Sequence, residues 1–241
     1  LTPERQLYIC NVWGDAQIYS KSATKMRIAK EFMIHDGVAR VTGAKNEDGK
    51  PGVFGQKEEL DWHANGVESI KDRENIVFLY AVNGTAGSKT SWLNNSLSYK
   101  SLPDDIRDKV KTLEMYTKTP EQESESIRKA REEAGQQYWS RRSKKPKPVY
   151  YKNEFGAEGL YYPHLFADDF VGYEYEEQEK LKQFLTNHIL QDKFIYDHEW
   201  QDGDIVVSEQ NLSLHKRWHC DFIEDRLLWR SATNYRKILD A

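Results

Sequence analysis

The sequence predicts an all-β core with helices packed outside it, a barrel or jelly roll. Three observations carry this expectation. Short strand-like runs recur along the chain, only three segments show helical periodicity, and no internal repeat organises them. At 241 residues the chain suits one domain, 1–241, with room for an insertion, and is long enough to stand without a disulfide or structural metal.

The elements follow in order. Residues 22–33 (SATKMRIAKEFM) place Met26, Ala29 and Met33 on one helical face. Asp36-Gly37 turns the chain into the strand-like run 38–41, and residues 43–52 are turn chemistry throughout. Residues 76–82 (IVFLYAV) form an apolar run of strand length, ended by Asn83-Gly84. Leu102-Pro103-Asp104-Asp105 opens a helix over 104–116, with Ile106, Val110 and Leu113 in one stripe. From 121 to 148 the composition shifts, acids mostly first and bases mostly later; this reads as a charged, solvated insertion or, more sharply, a lid or a basic contact. Residues 149–151 and 159–162 are short strand-like pieces. Residues 175–190 form an amphipathic helix with Leu181, Phe184, Leu185 and Ile189 on one side, and 203–214 and 226–233 read as strands.

Composition excludes several function classes. Aromatic content of 12% argues against disorder despite a mean hydropathy of −0.84. A net charge of −4 gives no general drive toward nucleic acid or an anionic membrane, and no apolar run approaches the roughly 18 residues of a span. Only the basic stretch 141–147 keeps a local nucleic-acid contact open. Cys10 and Cys220 form no framework and no CxxC pair, which points to a reducing, cytoplasmic setting. No signal peptide is legible, and the absence of a Met at Leu1 leaves room for residues before it. The tryptophans, Trp62, Trp92, Trp139, Trp200, Trp218 and Trp229 among them, read as core or rim aromatics rather than base-stacking platforms. Oligomeric state is not legible.

Among seven histidines, His63 and His215 stand out by their neighbours. His63 sits in LDWHANG (60–66), and His215 is followed by Arg226 and Arg230, 11 and 15 residues later. These arginines lie four apart on one apolar strand and so share a face. A buried guanidinium without an anion is costly, so each needs a ligand or, more simply, a salt bridge to Asp204 or Glu209.

In this order the residues resemble the taurine dioxygenase-like (TauD/TfdA) branch of the Fe(II)- and 2-oxoglutarate-dependent oxygenases. The resemblance runs from about residue 38 to 235. It is carried by His63-Ala64-Asn65 after a short strand, Gly87-Ser88-Lys89-Thr90, the Leu-Pro helix at 102–116, Gly172 ahead of the long helix, Trp200-x-x-Gly203-Asp204, the distal His215, and Arg226-x-x-x-Arg230. It implies a double-stranded β-helix (jelly roll, cupin-like) with flanking helices. The implied activity is oxidation of a C–H bond in a small polar or anionic substrate, an amino acid or related metabolite, with hydroxylation the first expectation. Fe(II) and O2 serve as cofactors and 2-oxoglutarate is converted to succinate and CO2. Two imidazoles and a carboxylate hold such an iron on one face. The resemblance assigns His63, Asn65 and His215 to the metal and Thr90, Arg226 and Arg230 to the co-substrate or an anionic substrate. Residues 161–164 (YYPH), Asn94 and Asn95 fall where pocket lining or plain packing is expected.

Asn65 departs from the pattern, which has Asp or Glu there. A neutral amide oxygen is a weaker ligand for a hard cation. Four readings stay open: Asn65 still supports iron; the change inactivates; Asp61 or Glu68 substitutes; or Asn65-Gly66 deamidates to Asp. A halogenase-type variant, or a non-catalytic 2-oxoglutarate-binding module, are the alternatives to hydroxylation.

Overall fold

The computed structural model describes residues 1–18, 32–45, 49, 55–65, 76–118, 142–143, 145–153 and 155–234. Two antiparallel sheets face one another. The larger runs β13 (Ile205–Glu209), β5 (Ile76–Asn83), β15 (Leu227–Asn234), β3 (Val38–Thr42) and β2 (Met33–His35), with β1 (Asp15–Ala16) paired to the end of β15. The smaller runs β12 (Ile195–Glu199), β6 (Lys89–Asn94), β14 (Ser213–Arg217) and β4 (Leu60–His63). This is the jelly-roll arrangement, with helices outside.

The run at β5 is continuously apolar because both faces are covered. Ile76 and Phe78 pack on Cys10 of α1 (Pro3–Trp13), and Val77 and Leu79 face the space between the sheets. Gly84, just past β5, has φ +64°, and a Cβ there would meet the Asp225 carbonyl oxygen at 2.3 Å, so the Asn-Gly turn closes against the chain ahead of β15.

The main core lies on the far side of the smaller sheet. Trp62, Leu93 and Leu214 point outward from β4, β6 and β14 into a cluster with Val110 of α3 (Asp104–Thr112), and with Leu181, Leu185 and Ile189 of α4 (Tyr175–Ile189). Met115 of β7 (Glu114–Thr117) and Phe170 of β11 (Ala167–Phe170) join it. These two strands form a third sheet with β8 (Lys147–Pro148), while β9 (Tyr150–Lys152) and β10 (Glu158–Leu160) form a hairpin. The remaining helix is α2 (Asn95–Lys100), capped by the Asn94 side chain.

Several expectations change. The run 203–214 is two strands, not one. β13 joins the larger sheet and β14 the smaller, and the chain crosses between them at 210–212, where the Glu209 carboxylate accepts from the Leu212 amide and the Ser213 hydroxyl donates to the Glu209 carbonyl. The helix at 104 stops at Thr112 because Glu114–Thr117 pairs with both β11 and β8. Met33 is in a strand with Phe32 buried ahead of it, and residues 22–31 of the expected helix lie outside the described residues, as does most of 121–148. The described end of that stretch includes β8, and Arg142 bridges Asp168 and Asp169. Helix α1 carries start signals, Thr2 accepting from the Arg5 amide and Pro3 following, but no apolar stripe. Its buried face is Gln6, Leu7 and Cys10, and Gln6 donates to the Ser231 hydroxyl at 2.9 Å.

Candidate functional site

Between the facing sheets lies a cavity lined by side chains of both. Strand alternation builds it. Thr90 and Trp92 of β6, His215 and Arg217 of β14, Val77 and Leu79 of β5, and Leu228 and Arg230 of β15 line it, each pair two residues apart. Arg226 continues the last series, so Arg226 and Arg230 share a face as expected. The residues just before the two histidines, Trp62 and Leu214, point the other way into the main core.

His63 and His215 are direct cross-strand partners, on neighbouring strands of one sheet. Two imidazoles on one ion at a right angle, with metal–nitrogen bonds of about 2.1 Å, place their ring centroids roughly 4.5 Å apart. The observed separation is 4.1 Å. His63 Nδ1 lies 2.7 Å from the Asp61 carbonyl oxygen, to which it donates, so the ring is fixed in the tautomer whose Nε2 carries the lone pair. Asn65 lines the same cavity, and its Nδ2 donates to Gln210 Oε1 at 3.3 Å, leaving Oδ1 as the atom able to reach a metal. The donor set fits a divalent ion held by two imidazoles and an amide oxygen.

Asp61 does not stand in for the missing acid. His215 pairs with His63 but Arg217 with Leu60, so β4 carries one residue more than β14 between these pairs. The bulge turns Leu60 inward, while Asp61 is half-exposed, 3.7 Å from Lys216 Nζ, and does not line the cavity. Glu68 and Gly66 lie outside the described residues. Among the described residues, no group of three His, Cys, Asp or Glu is placed to hold a metal.

The other end of the cavity is built for an anion. Arg226 is 1% exposed; its Nε donates to Ser88 Oγ at 3.0 Å, and its Nη1 is buried without a partner. It forms no salt bridge to Asp204 or Glu209; Asp204 instead faces His198 at 3.1 Å. Burial, with Arg217 adding repulsion, brings its pKa down to about 10. Thr90 Oγ1 accepts from Trp200 Nε1 at 2.9 Å, which leaves the Thr90 O–H to donate into the cavity. Arg230 is also buried in the lining.

Arg217, Gln210 and Ser88 were not singled out among the candidate residues. Arg217 was detectable, since it lies two residues beyond His215 and so on the same strand face. Gln210 depends on the turn between sheets, which the sequence does not announce. Tyr161 and Tyr162 are core residues, Asn94 is a helix cap, and neither Asn94 nor Asn95 lines the cavity. Trp62, Trp92 and Trp200 are buried, and Trp139 lies outside the described residues.

Comparison with known proteins agrees with this geometry. The profile described as "Taurine catabolism dioxygenase TauD, TfdA family" matches residues 3–232. The (S)-phenoxypropionate/alpha-ketoglutarate-dioxygenase of Sphingobium herbicidovorans is 24% identical over 235 residues, covering 96% of this chain and 78% of that protein. The crystal structure of a taurine dioxygenase from Burkholderia xenovorans superposes with a TM-score of 0.65 at 18% identity, over 97% of this chain and 72% of that one. That of AAD-2 in complex with Mn(II) and N-oxalylglycine gives 0.69 at 18% identity, over 97% and 81%. Paired imidazoles, a buried arginine with an unpartnered donor and a family match across nearly the whole chain converge: this chain belongs to the TauD/TfdA family, and is a dioxygenase that uses Fe(II), 2-oxoglutarate and O2.

Proposed function

We propose that the chain hydroxylates a small anionic metabolite, a carboxylate or sulfonate of amino-acid size. His63, Asn65 and His215 hold the ferrous ion, Arg226 and Thr90 hold 2-oxoglutarate, and Arg230 meets the acid group of the substrate. The observation that carries this reading is the charge of the cavity. Among the described residues its lining holds three guanidiniums and no carboxylate, in a chain whose net charge is −4.

Iron with 2-oxoglutarate and O2 supplies the oxidation of an unactivated C–H bond, with release of succinate and CO2. The chain's own residues bind, orient and exclude water. The Asp61 carbonyl fixes the His63 tautomer, and the Gln210 amide orients Asn65. Ser88 aims the Arg226 guanidinium, and Trp200 polarises the Thr90 hydroxyl. Val41, Val77, Leu79 and Leu228 form apolar walls, which strengthen each polar contact inside. Arg230 lies four residues beyond Arg226, roughly 13 Å of extended backbone, so the two can serve different anions in one cavity. The Sphingobium relative is named for a carboxylate and the Burkholderia neighbour for taurine, a sulfonate; a single acid group is what those names share.

The test is succinate release from purified protein with Fe(II), 2-oxoglutarate and O2 across a panel of small carboxylates, sulfonates and their uncharged amides. Stimulation by acids but not by the amides is expected. Arg230→Met should lower kcat/KM for the stimulating acid about 10–100-fold, as loss of a charge-assisted contact does, with the KM for 2-oxoglutarate unchanged. Equal stimulation by acids and amides, or by no compound, overturns the reading.

A further inference from the structure

The third guanidinium of the cavity, Arg217, has no role in the reading above. It stands at the end of β14, two residues beyond His215, with Thr90 as its Cα partner on β6. It is 6% exposed and lines the cavity together with Arg226. Its Nη2 donates to the Glu58 carbonyl oxygen at 2.9 Å, which holds the side chain in place. Its Nε and Nη1 are buried and make no hydrogen bond. Arg226 likewise keeps Nη1 buried and unpartnered. A buried cation with idle donors is costly, and two such cations facing one space repel each other. One anion between them relieves both costs at once, and among the described residues no carboxylate lines the cavity to supply it.

We propose that Arg217 is a second guanidinium on the distal carboxylate of 2-oxoglutarate, shared with Arg226 in a two-arginine clamp. The inference rests on the reading that 2-oxoglutarate occupies this end of the cavity. Its position favours the co-substrate over the substrate. Arg217 sits beside Thr90, and Arg226 bonds Ser88 two residues before Thr90, while Arg230 lies further along β15. Arg226 is also kept below the usual arginine range first by burial and then by Arg217, which agrees with two cations converging on one place.

The experiment is calorimetric titration of the wild type, Arg217→Met and Arg226→Met with 2-oxoglutarate and with 2-oxobutanoate, which has the same keto-acid head but no distal carboxylate. Each titration is run with and without Mn(II), so the readout does not depend on turnover. Arg217→Met is expected to weaken 2-oxoglutarate about 10–100-fold, the loss of a charged hydrogen bond, and to leave 2-oxobutanoate unchanged. The ligand-free variant should melt no lower than the wild type, because an unpaired buried charge has gone. If Arg217→Met binds 2-oxoglutarate like the wild type while Arg226→Met does not, the inference is overturned and the reading of the cavity stands. If the wild type takes up no 2-oxoglutarate under either condition, both fall. Arg217→Lys keeps the charge and guards against a misfolded Met variant. Weaker 2-oxoglutarate with 2-oxobutanoate unchanged supports the clamp, and unchanged affinity for both overturns it.

Discussion

The two ends of the cavity are opposites in how they handle charge. At one end His63, His215 and Asn65 offer two imidazoles and an amide, and the amide stands where the family pattern has a negative ligand. At the other, Arg217 and Arg226 hold positive charge that no acid among the described lining residues answers. A cation bound at the first end adds to the positive surplus rather than offsetting it. The comparison teaches that the charge of the described lining is left for the ligands to balance. A keto acid that chelates at one end and presents a carboxylate at the other answers both deficits with one molecule.

Breaking the imidazole end should have the largest effect. His215→Ala removes one of two ring ligands and is expected to abolish Mn(II) uptake and to cut turnover by about 10³-fold or more, a loss of roughly 4 kcal/mol in barrier terms. Metal-binding calorimetry checks the first effect and succinate release the second; retained stoichiometric metal would detach His215 from the site.

Breaking the guanidinium end comes next. Arg226→Met should raise the Kd for 2-oxoglutarate about 100-fold, the removal of a buried charge-assisted pair, while leaving Mn(II) binding intact. Loss of both in one variant would erase the distinction between the ends.

Sharpening the contrast is the purpose of Asn65→Asp. Restoring a charged oxygen to the neutral end is expected to tighten divalent-metal binding about 10–100-fold, because a carboxylate donates more strongly and offsets charge. Unchanged affinity would show that Asn65 does not reach the metal.

The smallest effect tests the packing behind the imidazole end. His164, in the turn that packs on β4, is held neutral by burial, with its pKa lowered to about 4. The unfolded chain takes up that proton near 6.5, so the folded form is at full stability above pH 6.5 and loses stability as pH falls toward 4. The loss is on the order of 2 kcal/mol. Thermal melts of His164→Asn should be flatter across that window than those of the wild type.

Much of this was legible because it depends on local spacing. β5 follows from an unbroken apolar run closed by Asn-Gly, and α4 from its apolar stripe. Arg226 and Arg230 share a face because strand side chains alternate. His63 and His215 could be paired only through family resemblance, since 152 positions separate them and no local rule measures that distance. Helix α1 was missed because it buries Gln6 rather than an apolar stripe, and the break at 210–212 because apolar strands of either sheet look alike in sequence.

The sequence alone determined the period-two faces, the turn points, the choice of imidazole, amide and guanidinium as available chemistry, and the replacement of an acid by Asn65. Only the tertiary structure decided that the chain changes sheets at Gln210, that a bulge in β4 turns Asp61 away, and that Arg217 joins Arg226 in lining one cavity. The reason is physical. Alternation and turn propensity act between residues a few positions apart, whereas register, bulges and the burial of charge are settled by strands that meet only once the sheets have closed on each other.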